Sequence, residues 1–432
     1  MIRPQLAEFM KRIGEDSIAI VPSAREATRS NDSNFRFRQD SDFYYLTGFE
    51  EPEAVAVIRP ADKEQPYTLF VRPRDPEKEV WDGRRAGVEG ARSEYGASAA
   101  FPIGEFEEKV ADMINGVTNL YYRIGNGNPE IDDLIVARIR RMRMMGRKGM
   151  SAPQAIIDTG AVIHEMRLIK TPEEIELMQR AADIAAEGHI EAMKAARPGM
   201  KEYEIEALIE YHFRRNGAAA PAYTSIVGSG ANATVLHYVN NDATLRDGDL
   251  LLIDAGAEYR GYASDITRTF PINGRFTEAQ REIYDLVLEA QMACVEMVRP
   301  GVTNDEIKQR SIEIQTEGMV RLGLLKGDPA KLIEEEKYKQ FYMHGLGHYL
   351  GLDVHDVGRY YVREEPRKLE PGMVMTVEPG IYVSPDAKDV PEKYLGLGVR
   401  IEDDVLVTDG APRVLSGKAP KQAEEIEALM SR

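Results

Sequence analysis

Two aspartates in one hairpin pattern constrain the fold of this chain more than any other feature. Residues 247–272, DGDLLLIDAGAEYRGYASDITRTFPI, begin with an apolar run that ends at Asp254, then turn and return through Asp265. If the two-residue tip is Tyr259-Arg260, Asp254 pairs directly with Asp265. If the tip is Arg260-Gly261, the two aspartates are diagonal neighbours on one face. Either register brings two anions together at the edge of a core, and a multivalent cation explains such a pair more simply than a salt bridge.

Histidines crowd a second segment, 344–356, which has the sequence HGLGHYLGLDVHD. His344 and His348 are four residues apart, which suits a metal site on a helix, but the glutamate of a zinc-protease HExxH motif is missing and the glycines disfavour a regular helix. A metal bound here must therefore take other ligands from elsewhere in the chain, and oxygen donors would suit a different ion than such zinc proteases use. The alternative is a set of three loop histidines, completed by His355, with ordinary hydrogen-bond partners.

Two glutamates offer further oxygen donors. Glu378 ends the apolar strand pattern GMVMTVEPGIYV, and Glu402 lies inside the strand pattern GLGVRIEDDVLV, just before the turn-like pair Asp403-Asp404. Each glutamate alone is more often half of a structural ion pair. Two aspartates, two glutamates and one histidine together provide five side chains, which is enough for two metal ions that share bridging carboxylates.

The remaining pattern predicts a two-domain α+β protein. The chain has 432 residues, of which 43% are hydrophobic and 29% charged, as in ordinary globular proteins. The stretches DSIAIVP, FYYLTGF, EAVAVIRP and TLFVRP indicate strands of an N-terminal mixed α/β domain. Near residue 165 the pattern becomes helical, with Thr171 as N-cap, Pro172 in the first turn and Glu174 completing a capping box. We therefore expect a domain boundary there, with the chemistry in the second domain.

Charge and apolar patterning restrict the partners and the location. The net charge of −17 opposes a general nucleic-acid surface, and the one basic run, 137–149, is interpreted as a solvated helix end. The chain shows no signal-peptide pattern and no apolar run of about eighteen residues, so we expect a cytoplasmic protein without a membrane partner. Cys294 is the single cysteine and is expected in the core, and His189 and His212 are expected to be ordinary helix residues rather than ligands.

Several motifs in fixed order resemble those of the pita-bread metallopeptidases, in the branch of aminopeptidase P (Xaa-Pro aminopeptidase) and prolidase. They are DAGAEYRGYASDITRTF, HGLGHYLGLDVHD, TVEPG and RIEDD. Residues 38–57, RQDSDFYYLTGFEEPEAVAV, and 80–85, VWDGRR, resemble the N-terminal domain of bacterial aminopeptidase P. The resemblance covers nearly the whole chain. It implies an aminopeptidase P-like domain over residues 1–165 and a pita-bread catalytic domain over residues 166–432.

The resemblance also implies a site and a reaction. The implied metal ligands are Asp254, Asp265, His348, Glu378 and Glu402. Asp265 and Glu402 would bridge two divalent ions, typically Mn²⁺ in this family. The implied activity is hydrolysis of the N-terminal Xaa-Pro bond, which releases the residue before proline by attack of a hydroxide that bridges the two metals.

Further residues receive roles from the same resemblance. His237 and His355 would hold the substrate and stabilise the tetrahedral intermediate, Glu378 would move the proton to the leaving nitrogen, and His344 would pack behind the metals. The positions that match the substrate site are Tyr223, Tyr382, Arg400, Asp42, Trp81 and Arg147. The partners would be peptides with proline in the second position, and the family often forms dimers or tetramers.

Two rival functions stay open at this point. The first is prolidase, which cleaves Xaa-Pro dipeptides, because this chain reads HGLGH where aminopeptidases P often read HGLSH, and because the loop 358–368 matches less closely. Both differences are expected to affect substrate selection rather than metal binding. The second rival is a metal-free peptide-binding protein on the same fold, which should have lost ligands, whereas all five positions here carry competent side chains.

Overall fold

The computed structural model of the chain describes residues 2–431 and divides into two compact units, Met1–Arg167 and Leu168–Arg432. The helices and strands of the first part of the chain, in order, are α1 (Pro4–Ile13), β1 (Ser17–Pro22), β2 (Thr28–Ser30), β3 (Ser33–Asn34), α2 (Ser41–Thr47), β4 (Val55–Ile58), β5 (Tyr67–Val71), α3 (Pro76–Asp82), α4 (Gly87–Ser93), β6 (Ala99–Pro102), α5 (Phe106–Met113), β7 (Asn119–Tyr121), α6 (Pro129–Met144), β8 (Ala155–Ile157) and α7 (Gly160–Leu168).

The N-terminal unit is built on one mixed sheet. Its strand order is β6-β5-β4-β1-β7-β8, with antiparallel pairing of β4 to both β1 and β5 and parallel pairing elsewhere. Strands β1, β4 and β5 are buried along their whole length, as their continuous apolar sequences predict for central strands covered on both faces. Side chains from α5 and α6 join these strands in one core cluster.

One predicted strand of this unit is wrong. The stretch FYYLTGF, residues 43–49, lies mostly in helix α2 rather than in a strand. Asp40 starts this helix, because its side chain accepts a hydrogen bond of 2.9 Å from the backbone N–H of Phe43. Gly48 ends it with a φ of 67°, a conformation that glycine adopts without strain. These capping interactions outweigh the strand preference of the aromatic residues.

The basic run 137–149 occupies the end of α6 and the 3-10 turn Gly146–Lys148. Arg138 bonds the Glu107 carboxylate at 3.1 Å, and Arg140, Arg141 and Arg143 are exposed to solvent. The interpretation as a solvated helix end is therefore confirmed.

The second part of the chain begins with two helices and then alternates strands with helices. Its elements are α8 (Pro172–Ala195), α9 (Glu202–Arg215), β9 (Ala220–Pro221), β10 (Ile226–Ser229), β11 (Leu250–Asp254), β12 (Ala257–Tyr259), β13 (Tyr262–Ala263), β14 (Thr267–Pro271), α10 (Glu278–Met297), α11 (Asn304–Arg321), α12 (Pro329–Glu334), β15 (Tyr361–Val362), β16 (Glu365–Pro366), β17 (Val374–Val377), β18 (Gly380–Tyr382), β19 (Gly398–Arg400), β20 (Asp403–Leu406), β21 (Arg413–Val414) and α13 (Ala423–Met430).

Short antiparallel sheets and long helices share the core of this unit. The sheets are β10-β11-β14, β13-β12-β9, β17-β20-β21 and β18-β19, with the ribbon β15-β16 beside them. Helices α8 to α11 bury apolar faces in the same cluster as β11 and β14. The predicted capping box at the start of α8 is confirmed, since Thr171 and Glu174 each accept the other's backbone N–H, at distances of 3.3 and 2.9 Å.

The expected core residues lie where the sequence places them. Cys294 on α10 is fully buried, and burial raises the pKa of its thiol to about 12. His189 on α8 is buried with Nε2 3.0 Å from the carbonyl oxygen of Ala255, and burial lowers its pKa to about 4. His212 on α9 lies 3.5 Å from the Glu187 carboxylate.

Within residues 2–431, the helices are all too short or too polar to cross a lipid bilayer.

Candidate active site

The predicted ligands converge on one cavity of about 280 Å³ in the C-terminal unit. The cavity is lined mostly by titratable side chains, with a few apolar residues on its wall. The lining residues that carry chemistry are Tyr223, His237, Asp254, Asp265, His344, His348, His355, Glu378, Arg400 and Glu402. All five predicted metal ligands and both histidines predicted to contact substrate are in this set.

The hairpin adopts the second of the two predicted registers. Tyr259 pairs with Tyr262, so the tip is Arg260-Gly261, and both tip residues have positive φ, 49° and 82°. Asp254 ends β11 opposite Thr267 of β14, which makes Asp265 its diagonal neighbour. The Tyr223 hydroxyl donates to Asp254 Oδ1 at 2.6 Å and also to Asp265 Oδ1. The two carboxylates are therefore close enough to share one hydrogen-bond donor.

The histidine segment is fixed against β17. The Thr376 hydroxyl accepts from the backbone N–H of His348 at 3.0 Å, and the N–H of Thr376 donates to the His348 carbonyl at 2.8 Å. This pairing brings His348 Nε2 to 3.4 Å from Asp265 Oδ2 and to 3.6 Å from Glu378 Oε1. A Cβ atom at Gly347 would lie 2.0 Å from the Thr376 carbonyl oxygen. The second glycine of HGLGH, Gly347, is thus explained by close packing against the backbone of Thr376 in this chain.

Glu402 lies between β19 and β20, facing the aspartate hairpin. The Thr267 hydroxyl donates to its carboxylate at 2.6 Å, and the Glu402 N–H donates to the Thr267 carbonyl at 3.1 Å. Ligand atoms of Asp265, His348 and Glu402 lie within 4.8 Å of one another, a spacing at which one ion contacts all three.

The pair Asp403-Asp404 was expected to form a turn, and this expectation is wrong. Both residues are buried at the start of β20. Asp403 is neutralised by Arg268 at 2.7 Å and Lys421 at 2.6 Å, which hold its pKa below the usual range in spite of burial. Asp404 accepts the backbone N–H of Asp265 at 3.2 Å. Partners distant in sequence therefore accommodate two adjacent acidic side chains in a strand. Asp403 is paired with cations, whereas burial and repulsion from Asp265 raise the pKa of Asp404 well above its usual value.

Arg400 connects several of these groups. It is buried, and its guanidinium donates to Asp254 Oδ2 at 2.6 Å, to the Thr267 hydroxyl at 3.1 Å and to the Tyr382 hydroxyl at 3.0 Å. Tyr382 is also buried, and its hydroxyl lies 2.8 Å from His344 Nε2. The predicted substrate residues Arg400 and Tyr382 are therefore also the hydrogen-bond support of Asp254 and His344.

Burial and mutual repulsion control the protonation of the carboxylates. Burial raises the pKa values of Asp254, Glu378 and Glu402, with repulsion from neighbouring carboxylates adding to it, and Glu378 reaches about 7. Burial alone would lower the pKa of His348, but Asp265 and Glu378 raise it to about 9. Divalent cations would relieve this repulsion. Four carboxylates and one imidazole are also the donor types that such ions take, so the residues fit a two-metal site.

The other histidines line the cavity in different ways. The His355 ring packs edge-on against His348, with ring centroids 4.4 Å apart at 80°. Burial and the neighbouring His348 lower the pKa of His355. Burial lowers the pKa of His344 to about 4. His237 follows the 3-10 turn Gly230–Thr234 and contributes to the cavity wall. An imidazole N–H on such a wall can donate a hydrogen bond to a developing oxyanion.

Three predicted substrate residues belong to the N-terminal unit. Asp42 on α2 is buried, lies 3.1 Å from His164 Nε2 and accepts from Arg167 at 2.7 Å. Burial opposes ionisation of Asp42, but His164 and Arg167 together hold its pKa below the usual range. Trp81 on α3 has a side chain that is 87% exposed. Arg147 is exposed on the 3-10 turn after α6.

Sequence reasoning missed three supporting residues, which are Thr267, Thr376 and Asp404. Each lies on the face of a strand that also carries a ligand, two residues from Asp265, Glu378 or Glu402. A period of two along the strand was the available signal. Each, however, also forms a hydrogen bond with a site residue on another segment. Thr267 bonds Glu402, Thr376 bonds the backbone of His348, and Asp404 bonds the backbone of Asp265. No local pattern shows these contacts.

Comparison with known proteins supplies the family. Residues 176–409 match the family described as Metallopeptidase family M24. The chain belongs to this family. Residues 3–121 match the aminopeptidase P N-terminal domain. The Xaa-Pro aminopeptidase of Escherichia coli strain K12 is 48% identical over 424 residues, which cover 98% of this chain and 95% of that protein.

Solved structures of M24 peptidases have the same fold. Aminopeptidase PepP of Pseudomonas aeruginosa aligns with a TM-score of 0.96 and 50% identity, covering 100% of this chain and 99% of that one. Zinc-substituted E. coli aminopeptidase P in complex with product aligns with a TM-score of 0.95 and 46% identity, covering 100% and 98%. The predicted resemblance, the two-domain α+β architecture with a pita-bread catalytic domain, and the metallo-exopeptidase class are therefore confirmed. Membership of M24 also implies divalent metal ions.

Proposed function

We propose that this chain is an Xaa-Pro aminopeptidase, which hydrolyses the first peptide bond of substrates that have proline in the second position. The observation that carries the proposal is the convergence of four carboxylates and four histidines on one cavity. The full-length likeness to Xaa-Pro aminopeptidases supports the same substrate class. This likeness favours Xaa-Pro aminopeptidase over prolidase. The complete set of proposed ligands argues against a non-catalytic binding protein, because such a protein would not need them.

The metal ligands in this proposal are Asp254, Asp265, His348, Glu378 and Glu402. We propose that the two ions would be Mn²⁺ and that Asp265 and Glu402 would contribute to holding both. The tight grouping of Asp265, His348 and Glu402 supports a metal ion at these residues. When bound, the ions would polarise the scissile carbonyl and lower the pKa of the attacking water.

The chain's own residues then bind the peptide and move the proton. His237 and His355 on the cavity wall donate hydrogen bonds to the carbonyl oxygen as negative charge develops there. Glu378 accepts a proton from the attacking water and delivers it to the proline nitrogen as the bond breaks. Thr376 supports that role, because its hydroxyl donates to Glu378 Oε1 at 3.3 Å and so orients the carboxylate.

Tyr223, Tyr382 and Arg400 are proposed to shape the substrate side of the cavity. The hydroxyl of Tyr223 reaches both hairpin aspartates, and Arg400 holds Asp254. Through these contacts the residues fix the proposed ligands. Tyr223 and Arg400 also line the cavity, whereas the buried Tyr382 acts through its hydrogen bonds with Arg400 and His344. Proline has no N–H, so a pocket for its ring selects by fit rather than by hydrogen bonding.

Asp42, Trp81 and Arg147 are proposed to contribute to substrate binding from the N-terminal domain, for which we keep the limits 1–165, with the catalytic domain over 166–432. The high exposure of Trp81 supports a contact with another molecule, since large aromatic side chains are seldom left in solvent. We also propose a homo-oligomer, a dimer or tetramer, in the cytoplasm. Sedimentation velocity of the purified chain tests the assembly.

Peptide length provides the test of the proposed activity. With Mn²⁺ present, Xaa-Pro-Yaa tripeptides and longer peptides should be hydrolysed with a higher kcat/KM than Xaa-Pro dipeptides, and matched Xaa-Ala-Yaa peptides should be poor substrates. An aminopeptidase must leave the side after proline open, whereas a prolidase needs a basic group there for the free carboxylate. A clear preference for dipeptides would make the chain a prolidase, and no hydrolysis of any of these peptides would reject both functions.

A further inference from the structure

A fully buried ion pair lies next to His355 in the sequence. Lys170 Nζ is 3.0 Å from Asp356 Oδ2, and both side chains are 1% exposed. Asp356 directly follows His355, whereas Lys170 is 186 residues away and precedes helix α8. Burying two charges gains little net stability, because desolvation offsets their attraction. The pair therefore calls for an explanation other than stability.

The pair holds the end of the segment that carries His348 and His355. Asp356 closes this segment on itself, since its backbone N–H donates to the Tyr349 carbonyl at 2.8 Å. In the middle of the segment, Gly351 accepts a 2.8 Å hydrogen bond from the N–H of Ala263 on β13. Residues between these anchors are irregular in conformation.

Lys170 is itself rigidly held, and it packs against the segment. Its backbone N–H donates to the Gly372 carbonyl at 2.9 Å, and the next residue, Thr171, begins the capping box of α8. A Cβ atom at Gly351 would lie 2.2 Å from Asp356 Oδ2 and 3.1 Å from Lys170 Cε. The charged pair therefore lies directly against the backbone of the histidine segment, with no space for a side chain between them.

The His355 ring depends on its backbone for its position. The ring packs edge-on against His348, and among residues 2–431 no side chain or carbonyl forms a hydrogen bond with it. The residue is also exposed to the cavity. A shift of the Asp356 backbone would therefore move His355 directly, because no hydrogen bond of its ring within residues 2–431 resists the movement.

We infer that the Lys170–Asp356 ion pair fixes the backbone at the end of the histidine segment and thereby positions His355 to contact the substrate carbonyl. Lys170 and Asp356 are positioning residues in this inference, and they act only through His355. The inference rests on the proposed function, because it requires that His355 contributes to turnover.

A double-mutant cycle tests whether the pair acts through His355. Lys170→Met should lower kcat on an Xaa-Pro-Yaa peptide by about 10- to 100-fold, because a displacement of about 1 Å at a catalytic group has an effect of this size. KM and the metal content should change little. In the His355→Ala background, the same Lys170→Met change should lower kcat by less than about twofold, since the group that it positions is already absent.

Controls separate positioning from loss of stability. Ile209→Ala, in the core on α9, destabilises the same unit without touching the histidine segment and should leave the kcat of the folded protein unchanged. If Lys170→Met does not fold, the double variant Lys170→Met/Asp356→Asn, which removes both buried charges, takes the place of Lys170→Met in the cycle with His355→Ala.

Some results would contradict the positioning inference, and others would contradict the proposed role of His355. Losses in kcat that multiply independently in the Lys170 and His355 variants, or full turnover of folded Lys170→Met, would overturn the positioning inference. Full turnover of His355→Ala would instead remove the proposed role of His355 in catalysis, on which the inference rests.

Discussion

At the scale of single residues, the site separates ligands from side chains that orient them. Asp265 has several neighbours, because it accepts from Tyr223, lies 3.4 Å from His348 and is held through its backbone by Asp404. A residue with that many neighbours is difficult to replace.

Asp265→Ala should release metal and lower kcat/KM by roughly 10³-fold or more, because it removes a carboxylate that both ions are proposed to share. Metal analysis of the purified variant beside wild type, together with peptide hydrolysis, checks this result. An active and fully metallated Asp265→Ala protein would contradict the ligand assignment.

His355→Ala should behave differently. We expect it to retain both ions and to lose about 10²- to 10³-fold in kcat, since its proposed hydrogen bond forms with the substrate carbonyl. The same metal analysis and kinetics apply, with Asp265→Ala as the metal-depleted control. Metal loss as large as that of Asp265→Ala would make His355 a ligand.

The sequence predicted the acidic residues and histidines of the cavity better than the residues that support them. Asp254 and Glu378 could be singled out because an anion at the end of an apolar strand pattern has few explanations, and Glu402 because it interrupts such a pattern. His348 needed the family resemblance to be distinguished from His344 and His355. Thr267 and Asp404 could not be found, because a hydroxyl or a second carboxylate in a strand acquires its purpose only from a distant partner.

At the scale of elements, the aspartate hairpin is the piece that brings two ligands together. The alternation of residues predicted the hairpin and the shared face, but both registers satisfied that pattern. The positive φ values at Arg260 and Gly261 select one register, and glycine at the second tip position favours it. The segment FYYLTGF, in contrast, was predicted as a strand from its aromatic composition and is a helix, because capping at Asp40 outweighs that composition.

Gly256→Ala should disturb this hairpin. A Cβ atom at position 256 would lie 1.7 Å from the Ser264 carbonyl oxygen, so the strands beside Asp254 and Asp265 must separate. We expect the free energy of unfolding to fall by about 1–3 kcal/mol, with weaker metal binding, as measured by denaturant titration with and without Mn²⁺.

Gly410→Ala is the matched control in the same unit, because its nearest neighbour would be 3.9 Å away. It should leave both stability and metal affinity close to wild type. Equal stability of the Gly256 and Gly410 variants would show that the hairpin tolerates the added methyl group.

At the scale of the whole molecule, an acidic chain of net charge −17 concentrates several buried carboxylates in one place. The fold keeps them together by burial, and burial is also what raises their pKa values. Ions that bind the folded cavity should therefore stabilise the entire catalytic unit.

Removal of metal should lower the thermal stability of the protein, and Mn²⁺ should restore it. Mass action predicts about 2.7 kcal/mol of stabilisation when the free ion is 100 times its Kd. Differential scanning calorimetry after chelation and after stepwise Mn²⁺ addition measures the effect. Asp265→Ala should show no such recovery. An unfolding temperature of the wild-type protein that changes neither on chelation nor on Mn²⁺ addition would contradict the metal site.

The exposed Trp81 has a practical consequence. It is the single tryptophan of the chain, and its indole is 87% exposed. Tryptophan fluorescence, excited selectively, therefore comes from one point on α3 and should resemble that of free indole in water. A blue shift of the emission on adding peptide, or with rising protein concentration, would reveal that this one ring has left solvent, without any label attached to the enzyme.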